Sequence, residues 1–573
     1  MDKVSKKNKM INERVNTLRS YFKKFDIDGY VIPKNDQFFS EYTQKDRLKF
    51  ISNFSGSAGY AIILKNRNYL FVDGRYTIQA QIESEKYFKI IDHHKIINCN
   101  LFNNLTIGID AKIFTSTQIK RIFAKKNNIK ILKKNLIDEI WKKKVNKSKE
   151  FFSLKENIVG ENSKKKISRI NQFLKKNKLD YMFISAPENV AWLLNIRGQD
   201  NPNSPIPNCQ AFVENKKLYL ISNISKTQKL IKEKKLSLKQ IIEPINFTNF
   251  LENRKKGKIL IDDKSCSLHY ENIFKKNFKI FKKEDPIYLM KAIKNKTEIQ
   301  NMMNSHIYDG VALTKFIYWI KNINKIRLTE YEAQNKLEKF RKQNSNYLYP
   351  SFNTIAGSGG NAAIVHYRAT KKKSKTIYKK DIFLCDSGGQ YKYGTTDVTR
   401  TICFSQPKKN IKSIFTKVLK GHIAVACTDL NKDKTGKLID LKARKFLRRS
   451  NLDYQHGTGH GVGFFLNVHE GPQAISKNNN IRIREGMILS NEPGFYKKDK
   501  FGIRIENLIY VKKNKKKLFF ENLTLAPIDN DLINFEQLTK QEKNYLFKYN
   551  MLVYSKLNPF LNSNERKWLA SFI

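Results

Sequence analysis

The sequence predicts a mixed α/β and α+β protein, in which two related α/β domains precede a third domain and a C-terminal extension. Three observations support this. The chain has 573 residues, enough for three or four domains at about 150 residues each. Hydrophobic residues make up 40% and aromatic residues 12%, which excludes disorder of the whole chain. Short apolar runs also recur along the first half at a nearly constant spacing.

The recurring runs define the first two domains. The offsets between matching runs are 152, 152 and 148 residues, which predicts two copies of one α/β domain at 1–150 and 155–288. Chance similarity between short apolar strands is the alternative. The matching runs are Asp28-Gly-Tyr-Val-Ile with Asp180-Tyr-Met-Phe-Ile, Gly59-Tyr-Ala-Ile-Ile with Ala211-Phe-Val, and Leu70-Phe-Val with Leu218-Tyr-Leu. Between the copies, Lys142–Lys149 is either a linker or a solvated helix face.

The character of the chain changes near Asp285-Pro286. A helical pattern from Thr297 to Ile323 is followed by Gly-rich turns and strands up to Val511, which predicts a third domain at 289–511. The run Lys512-Lys-Asn-Lys-Lys-Lys indicates an exposed hairpin or linker. The extension at 512–573 is expected to be helical from residue 537, with four buried aromatic residues: Tyr545, Phe547, Tyr549 and Trp568.

Charge and cysteine content limit the partners and the compartment. The net charge of +57 suggests nucleic acid or an anionic membrane as a partner. Because the Lys excess is spread along the whole chain, compositional drift explains it better, and neither partner is expected. No apolar stretch reaches the roughly 18 residues that a membrane-spanning helix needs. The N-terminus lacks the apolar region of a signal peptide, and the six Cys show no CxxC spacing, which together favour the cytoplasm.

Two acidic residues follow or begin apolar strands in the third domain. Asp386 closes the run Asp381-Ile-Phe-Leu-Cys, and Asp397 opens the run Val-Thr-Arg-Thr-Ile. The Gly-containing connection between these runs suits a hairpin, which would place the two carboxylates side by side. Adjacent carboxylates in an apolar setting repel each other unless a cation lies between them. A pair of turn-capping acids that face water is an equally good interpretation of these two residues.

Five of the nine His lie between residues 366 and 469. In Gln455-His456-Gly-Thr-Gly-His460 the glycines disfavour a helix, and in an extended segment residues four apart share a face. Glycine at alternate positions also allows the backbone close to a neighbour or a ligand. Either His taken alone is as well explained as a hydrogen-bonded structural imidazole. The run His469-Glu-Gly-Pro follows nine residues after His460.

Two further acids complete a pattern. Glu492 ends an apolar strand just before a Pro-Gly turn, and in Gly502-Ile-Arg504-Ile-Glu506 the alternation directs Arg504 and Glu506 to the same side. Four carboxylates and one imidazole suffice to hold two divalent ions with a free bridging position for water. The oxygen-rich set favours Mn²⁺, with Co²⁺ or Zn²⁺ as alternatives. The five residues are Asp386, Asp397, His460, Glu492 and Glu506.

The order of these motifs and the residues within them resemble those of the pita-bread metallopeptidase family, which contains methionine aminopeptidases, prolidases and aminopeptidases P. The long, three-domain cytosolic aminopeptidase P branch is the most similar, and the resemblance covers almost the whole chain. It implies that the first two domains are creatinase-like and that the third has the pita-bread fold. The motifs that carry it are Phe71-Val-Asp-Gly-Arg-Tyr, Ala191-Trp-Leu-Leu-Asn-Ile-Arg-Gly, His366-Tyr-Arg-Ala-Thr, Gly457 to Pro472, Asn491-Glu492-Pro-Gly-Phe-Tyr and the tail around Trp568-Leu.

The resemblance implies a role for each residue. Asp386 would chelate one metal ion, Asp397 and Glu506 would bridge both ions, and His460 and Glu492 would complete the other. Arg504 would brace an acidic ligand. Three further residues match substrate-side histidines of the family: His366, His456 and His469.

The implied activity is hydrolysis of the first peptide bond in peptides with Pro at position 2, by a hydroxide that bridges two metal ions. A homodimer is also implied. The complete ligand set counts against the family's non-catalytic histone-chaperone branch and against the metal-free creatinases. A prolidase that cuts Xaa-Pro dipeptides is the nearest alternative. A non-catalytic basic binding protein on the same scaffold is a more distant one.

Overall fold

The structure is a computed structural model. It describes residues 2–74, 76–93, 103–123, 127–141, 149–214, 216–323 and 327–573, with residues 2–9 described through their backbone only. Residues 142–148 of the predicted linker and Arg75 of the first quoted motif lie outside the described residues. The chain divides into two compact units, one formed by Met1–Lys155 and Glu161–Ile287, the other by Glu156–Gly160 and Tyr288–Ile573.

The first unit contains two six-stranded sheets flanked by helices. Its helices are α1 Asp2–Phe25, α2 Arg47–Ser52, α3 Thr77–Ser84, α4 Ser116–Phe123, α5 Leu136–Ile140, then, after α6 of the second unit, α7 Ser163–Lys176, α8 Pro187–Leu194, α9 Ile224–Lys232, α10 Phe247–Glu252 and α11 Leu268–Asn277. Its strands are β1 Gly29–Pro33, β2 Tyr60–Leu64, β3 Asn68–Val72, β4 Lys89–Asp92, β5 Thr106–Ile109, β6 Asn128–Ile131, β7 Phe152–Ser153, β8 Tyr181–Ile184, β9 Ile196–Arg197, β10 Gln210–Glu214, β11 Lys217–Ile221, β12 Ile241–Ile242, β13 Gly257–Ile261 and β14 Phe278–Lys282.

The two sheets share one topology. Their strand orders are β4-β3-β2-β1-β5-β6 and β12-β11-β10-β8-β13-β14, and each matching pair of neighbours runs in the same sense. A further shared detail lies at the start of the first strand, where the Asp28 carboxylate accepts from Thr106 N–H and the Asp180 carboxylate accepts from Lys258 N–H. Both pairs are offset by 152 residues, so the predicted duplication is a structural one.

The strand register corrects two of the three predicted offsets. Ala61 is paired with Ile32, and Ala211 is paired with Ile184, so Ala61 corresponds to Ala211 at an offset of 150 residues. Leu70 corresponds in the same way to Leu220. The error of two residues arose because side chains in a strand repeat every second position. A shift of two therefore preserves the apolar pattern that the comparison used.

The second unit contains the long helix and the remaining strands. Its helices are α6 Glu156–Val159, α12 Ile287–Ala292, α13 Lys296–Asn322, α14 Glu330–Arg341, α15 Lys409–Ala426, α16 Gly436–Arg448, α17 Lys540–Leu557 and α18 Ser563–Ala570. Its strands are β15 Tyr347–Pro350, β16 Ile355–Ser358, β17 Phe383–Ser387, β18 Gly389–Tyr391, β19 Gly394–Thr395, β20 Val398–Ile402, β21 Gly459–Gly461, β22 Glu470–Ile475, β23 Ile488–Asn491, β24 Gly494–Lys497, β25 Phe501–Arg504, β26 Asn507–Asn514 and β27 Lys517–Asn522.

The sheets of this unit bring distant strands together. One sheet has the order β16-β17-β20 and another the order β22-β21-β23-β26-β27. Helix α13 matches the predicted helical pattern, and it begins with a capping box in which Asn295 and Glu298 satisfy each other's backbone N–H groups. Strand β26 runs across residue 511, where the third domain was predicted to end. The predicted domain limits remain a prediction.

The C-terminal helices confirm the expected helical tail, and of its predicted buried aromatic residues Tyr549 is buried while Tyr545 and Trp568 are half-buried. Buried residues of α17 follow a helical stripe that includes Leu546, Tyr549 and Val553. Phe547 lies off that stripe and is 49% exposed, so the prediction that it is buried was wrong. The run from Lys512 forms the exposed end of the β26–β27 hairpin, as expected. Each of the five cysteines in the described residues is a free thiol, and no helix in the described ranges could span a membrane.

Candidate metal centre

Strands β17 and β20 place the first two acids. These strands pair antiparallel with Asp386 opposite Thr399, and Asp397 immediately precedes β20. Because alternate residues share a face, Asp386, Asp397 and Thr399 lie on one side of the ladder. The connection is longer than the predicted hairpin turn, since it forms β18 and β19, which pair with each other, and β18 also pairs with β15.

Strand β21 presents His460 to the same region. Its ring Nδ1 bonds the carbonyl oxygen of Gly461 at 2.9 Å, so Nδ1 carries the proton. The other ring nitrogen, Nε2, lies 3.4 Å from Asp397 Oδ2 and 3.5 Å from Glu492 Oε1. A Cβ on Gly459 would lie 1.9 Å from the Ser490 carbonyl oxygen. Glycine therefore permits the close approach of β21 to β23 that places His460 beside the end of β23.

Glu492 and Glu506 complete the cluster from the ends of β23 and β25. Single ligand atoms of Asp397, His460 and Glu506 all lie within 4.8 Å of one another. Asp397 and Glu506 are buried, whereas the side chains of His460 and Glu492 are 19% and 18% exposed. The cluster therefore opens to solvent on the side of His460 and Glu492.

Arg504 links the acids to a hydrogen-bonded frame. Its Nη2 donates to Asp386 Oδ2 at 2.5 Å, and its Nε donates to Thr399 Oγ1 at 3.1 Å. Thr399 Oγ1 in turn donates to Glu506 Oε2 at 2.7 Å. Since Arg504 and Glu506 both contact Thr399, they lie on one side, as the alternating pattern predicted. The intervening Ile503 and Ile505 belong to the apolar core.

The charges in the cluster strain it electrostatically. Burial raises the pKa of Asp386 to about 7, with Asp397 and Glu492 adding to the rise and Arg504 opposing it. Burial and neighbouring carboxylates also raise the pKa of Glu492 and of Glu506. Burial lowers the pKa of His460, but Asp397 and Glu492 outweigh this and raise it to about 9. Four acids crowded in this way favour a bound cation.

Two further observations show that the residues fit metal ions. Asp386 Oδ1 is buried and has no hydrogen-bond partner among the described residues, so one carboxylate oxygen is left for a ligand that the protein itself does not supply. His460 donates from Nδ1 to the Gly461 carbonyl, which turns Nε2 toward the acids, where a metal ion would displace the Nε2 proton, as in metal-binding imidazoles. Oxygen-rich sets of this kind suit Mn²⁺ and similar divalent ions.

The three accessory histidines differ in position. His456 Nε2 lies 2.8 Å from Tyr496 Oη, and its Nδ1 lies 4.0 Å from Glu492 Oε2. The ring of His469 packs against that of His460, with centroids 4.2 Å apart. His366 is half-buried in the turn after the 3₁₀ helix Gly359–Ala363. The structure thus brings His456 and His469 to the cluster, and the role of all three histidines remains a prediction.

Two residues of the frame were not singled out from the sequence. Tyr496 accepts from Arg504 Nη1 at 2.6 Å and donates to His456 Nε2, so it joins the arginine to the histidine. Thr399 joins Arg504 to Glu506. Thr399 lies two residues after Asp397, on the same face of a strand, and that spacing was the available signal. Tyr496 is the last residue of the motif Asn491-Glu492-Pro-Gly-Phe-Tyr. A single Tyr does not by itself indicate a chemical role.

Comparison with known families agrees with this architecture. Residues 300–513 match the family described as Metallopeptidase family M24, and residues 516–571 match the C-terminal region of that peptidase. Residues 14–137 and 142–298 each match a family described as Creatinase/Prolidase N-terminal domain.

Curated relatives match nearly the whole chain. A protein of Laccaria bicolor named Probable Xaa-Pro aminopeptidase P is 36% identical over 97% of this chain and 92% of its own length. Xaa-Pro aminopeptidase 1 of Dictyostelium discoideum is 36% identical over 98% of this chain and 96% of its own length.

Solved structures extend the comparison. The X-prolyl aminopeptidase of Caenorhabditis elegans, described as a cytosolic enzyme with a di-nuclear active site, matches with a TM-score of 0.90 and 29% identity, over 98% of this chain and 99% of that one. The prolidase of Pyrococcus furiosus matches with a TM-score of 0.50 and 26% identity, over 62% of this chain and 98% of that one.

The chain is therefore a metallopeptidase, with two creatinase-like domains ahead of a pita-bread domain, and this predicted fold class is confirmed. It belongs to metallopeptidase family M24 and, within it, to the aminopeptidase P group, as the motifs predicted.

Proposed function

We propose that this protein removes the N-terminal residue from peptides with Pro at position 2. The observation that carries the proposal is the cluster of four carboxylates and one imidazole, which opens to solvent beside two further histidines. The support from relatives is the match of Xaa-Pro aminopeptidases along 97% to 98% of the chain. The prolidase of Pyrococcus furiosus, by contrast, covers 62%.

In the proposed site Asp386 would serve one metal ion, His460 and Glu492 would serve a second, and Asp397 and Glu506 would be shared by both. When bound, two divalent ions supply Lewis acidity that lowers the pKa of water and neutralises the acids. The carboxylate-rich ligand set favours Mn²⁺ over Zn²⁺ or Co²⁺. The description of the C. elegans enzyme as di-nuclear supports two ions.

The chain's own residues hold the proposed site in its working geometry. Arg504 fixes the Asp386 carboxylate directly and Glu506 through Thr399. Tyr496 receives a hydrogen bond from Arg504 and passes one to His456. That ordering leaves His456 with its proton on Nδ1, bonded to the Gly457 carbonyl. The ring is therefore oriented before a peptide arrives, which favours catalysis by preorganisation.

His469 and His366 are the proposed contacts for the peptide itself. His469 packs edge-on against His460, which places an imidazole beside the opening of the cluster. Such a donor can bind the scissile carbonyl and stabilise the negative charge that develops on its oxygen. Proline at position 2 lacks an N–H and has a fixed φ, so ordinary peptidases cleave this bond poorly and a dedicated site is reasonable.

The domain limits, the cellular location and the partners of the enzyme are proposed as well. We propose domain limits of 1–150, 155–288, 289–511 and 512–573, supported by the duplicated sheet topology. The cytosolic description of the C. elegans enzyme supports a cytoplasmic location. A homodimer is proposed from the family resemblance. Peptides are the expected partners, and no role for membranes or nucleic acid is proposed.

The test is release of the first residue from an Xaa-Pro-Yaa tripeptide by metal-free protein, before and after addition of Mn²⁺. An Xaa-Ala-Yaa tripeptide and an Xaa-Pro dipeptide serve as controls. Cleavage of the Pro tripeptide alone, and only with metal, is expected. Cleavage of the dipeptide alone would make the protein a prolidase. No cleavage with any divalent metal, in protein shown to be folded, would favour a binding protein on this scaffold.

A further inference from the structure

The rim of the candidate metal centre is strongly basic. Two segments form it, residues 364–381 after the 3₁₀ helix Gly359–Ala363 and residues 494–504 of the β24–β25 hairpin. The exposed cations of these segments, called the basic rim below, are Arg368, Lys371, Lys372, Lys373, Lys375, Lys379, Lys380, Lys497, Lys498 and Lys500.

The two segments of the rim pack against each other, and Tyr496 connects them to the site. A Cβ on Gly360 would lie 3.0 Å from the backbone of Asp499, and a Cβ on Gly502 would lie 1.8 Å from the Ala362 carbonyl oxygen. Tyr367 and Tyr496 pack on the same small apolar cluster. Tyr496 bonds Arg504 and His456, so these packed segments are continuous with the candidate metal centre.

The charge of the rim exceeds that of the chain as a whole. Ten exposed cations accompany two acids, Asp381 and Asp499, a ratio of 5 to 1. The whole chain has 109 basic and 52 acidic residues, a ratio of about 2 to 1. None of the ten cations forms an ion pair with another of the described residues. Their field is therefore not neutralised locally.

The rim lies close enough to act on a bound peptide. Lys500 is four residues from Arg504 along β25, about 13 Å at 3.3 Å per residue in a strand. The Debye length is about 30 Å at 0.01 M salt and about 10 Å at 0.1 M. A charged side chain of a bound peptide at this distance from the rim interacts with it strongly at low salt and weakly at high salt.

We propose that the basic rim makes the site selective for peptides with acidic side chains after the proline. This inference rests on the proposed function. The rim attracts acidic peptides during encounter and repels basic ones, which changes kcat/KM chiefly through association. It gives the excess charge of the chain a local role in the choice of substrate.

The test compares three peptides, Ala-Pro-Gly-Glu-Glu, Ala-Pro-Gly-Gln-Gln and Ala-Pro-Gly-Lys-Lys, each with an amidated C-terminus. The protein is loaded with Mn²⁺, and kcat/KM is measured at 0.01 M and 0.3 M ionic strength. We expect the Glu peptide to exceed the Lys peptide about tenfold or more at low salt, and the two to converge to within about twofold at high salt.

A matched pair of variants assigns the effect to the rim. The variant with Lys497→Gln, Lys498→Gln and Lys500→Gln removes three rim charges. The control with Lys513→Gln, Lys515→Gln and Lys516→Gln removes three exposed charges from the β26–β27 hairpin, more than about 20 Å along β26 from Glu506. We expect the rim variant to reduce the Glu-to-Lys ratio at least threefold and the control to leave it within 1.5-fold.

The neutral Gln peptide separates the two hypotheses and reports folding of both variants. If it is not cleaved, the proposed function fails. If it is cleaved while Glu and Lys peptides are cleaved equally at low salt, the proposed selectivity is wrong. An equal loss of the Glu-to-Lys ratio in both variants would assign the effect to the overall charge, which would also overturn the role of the rim.

Discussion

The buried guanidinium of Arg400 supports a specific prediction about the C-terminal extension. Arg400 is 1% exposed and forms no ion pair among the residues that the structure describes. Its Nη1 donates to the Glu506 carbonyl at 2.7 Å, and its Nη2 donates to Tyr549 Oη at 3.0 Å. The Tyr549 hydroxyl also accepts from Ala526 N–H at 3.3 Å and donates to the Ala526 carbonyl at 2.9 Å. Helix α17 is thereby tied to β20, the strand that follows Asp397 and carries Thr399.

Tyr549→Phe removes the hydroxyl and leaves the ring in place. The change deletes one hydrogen bond from a charged donor, worth about 1.5–3 kcal/mol, the neutral bond to the Ala526 carbonyl, worth about 1 kcal/mol, and the bond from the Ala526 N–H, which at 3.3 Å adds little. The expected loss is about 3 kcal/mol, because Arg400 is buried and no water replaces the hydroxyl. At 1.4 kcal/mol for each factor of ten, hydrogen-exchange protection of the β20 and α17 amides should fall about 100-fold.

The control is Tyr554→Phe on the same helix. Tyr554 is half-buried, and its hydroxyl forms no hydrogen bond with the residues described, so protection should stay within about threefold. Hydrogen exchange followed by mass spectrometry reports both segments separately from the rest of the chain. The reasoning is refuted if Tyr549→Phe changes protection of β20 and α17 no more than Tyr554→Phe does.

Three more predictions concern other parts of the second unit. Glu506→Gln should abolish metal binding, measured by the metal content of the purified protein, yet leave metal-free stability nearly unchanged. The reason is that burial and the neighbouring carboxylates raise the pKa of Glu506, so a neutral amide relieves repulsion among the metal-free acids; a strong destabilisation would contradict this. Burial lowers the pKa of His422 from 6.5 to about 3, so below pH 6.5 the unfolded chain binds a proton that the folded chain does not. Stability should therefore fall as the pH drops, by about 2 kcal/mol from this residue at pH 5, and His422→Gln should lose that dependence in urea unfolding; an unchanged pH profile would count against it. Gly459→Ala should destabilise the protein by about 1–3 kcal/mol or more, since the new Cβ would lie 1.9 Å from the Ser490 carbonyl. Gly457→Ala, whose Cβ would have no neighbour nearer than 3.4 Å, should cost less than about 1 kcal/mol, and equal losses would refute the role given to close approach.

Much of the architecture could be predicted from local patterns. The helical period predicted α13 to within a residue at each end, because its apolar face and its capping box are both encoded locally. The duplicated domains were visible because both copies keep the same apolar strands. The register of the repeat was not, since an error of two residues leaves the in-and-out pattern unchanged. Phe547 was assigned to the core for a similar reason, because aromatic character alone does not specify which face of α17 is buried.

The site shows the same division between local and distant information. Asp386, Asp397, Glu492 and Glu506 lie in or beside the ends of strands and His460 lies in the short strand β21; the sequence indicates these strands, and the family motifs predict the residues' roles. Their proximity depends on antiparallel pairing between strands far apart in the chain, and a sequence carries no direct record of that pairing. The hydrogen bonds that Thr399 and Tyr496 make to Arg504 also depend on this pairing, because they join side chains from different strands.

The sequence by itself determined the fold class, the family and the set of residues from which the metal centre is built, because these depend on residue identity and on periods of two to four residues. Tertiary structure alone decided that Asp386 keeps a buried oxygen without a partner, that Arg400 ties α17 to the Glu506 backbone, and that the basic segments meet at one rim. The physical reason is that burial, hydrogen bonding and electrostatic fields act over distances of about 3–30 Å in space. Separation along the chain does not limit them.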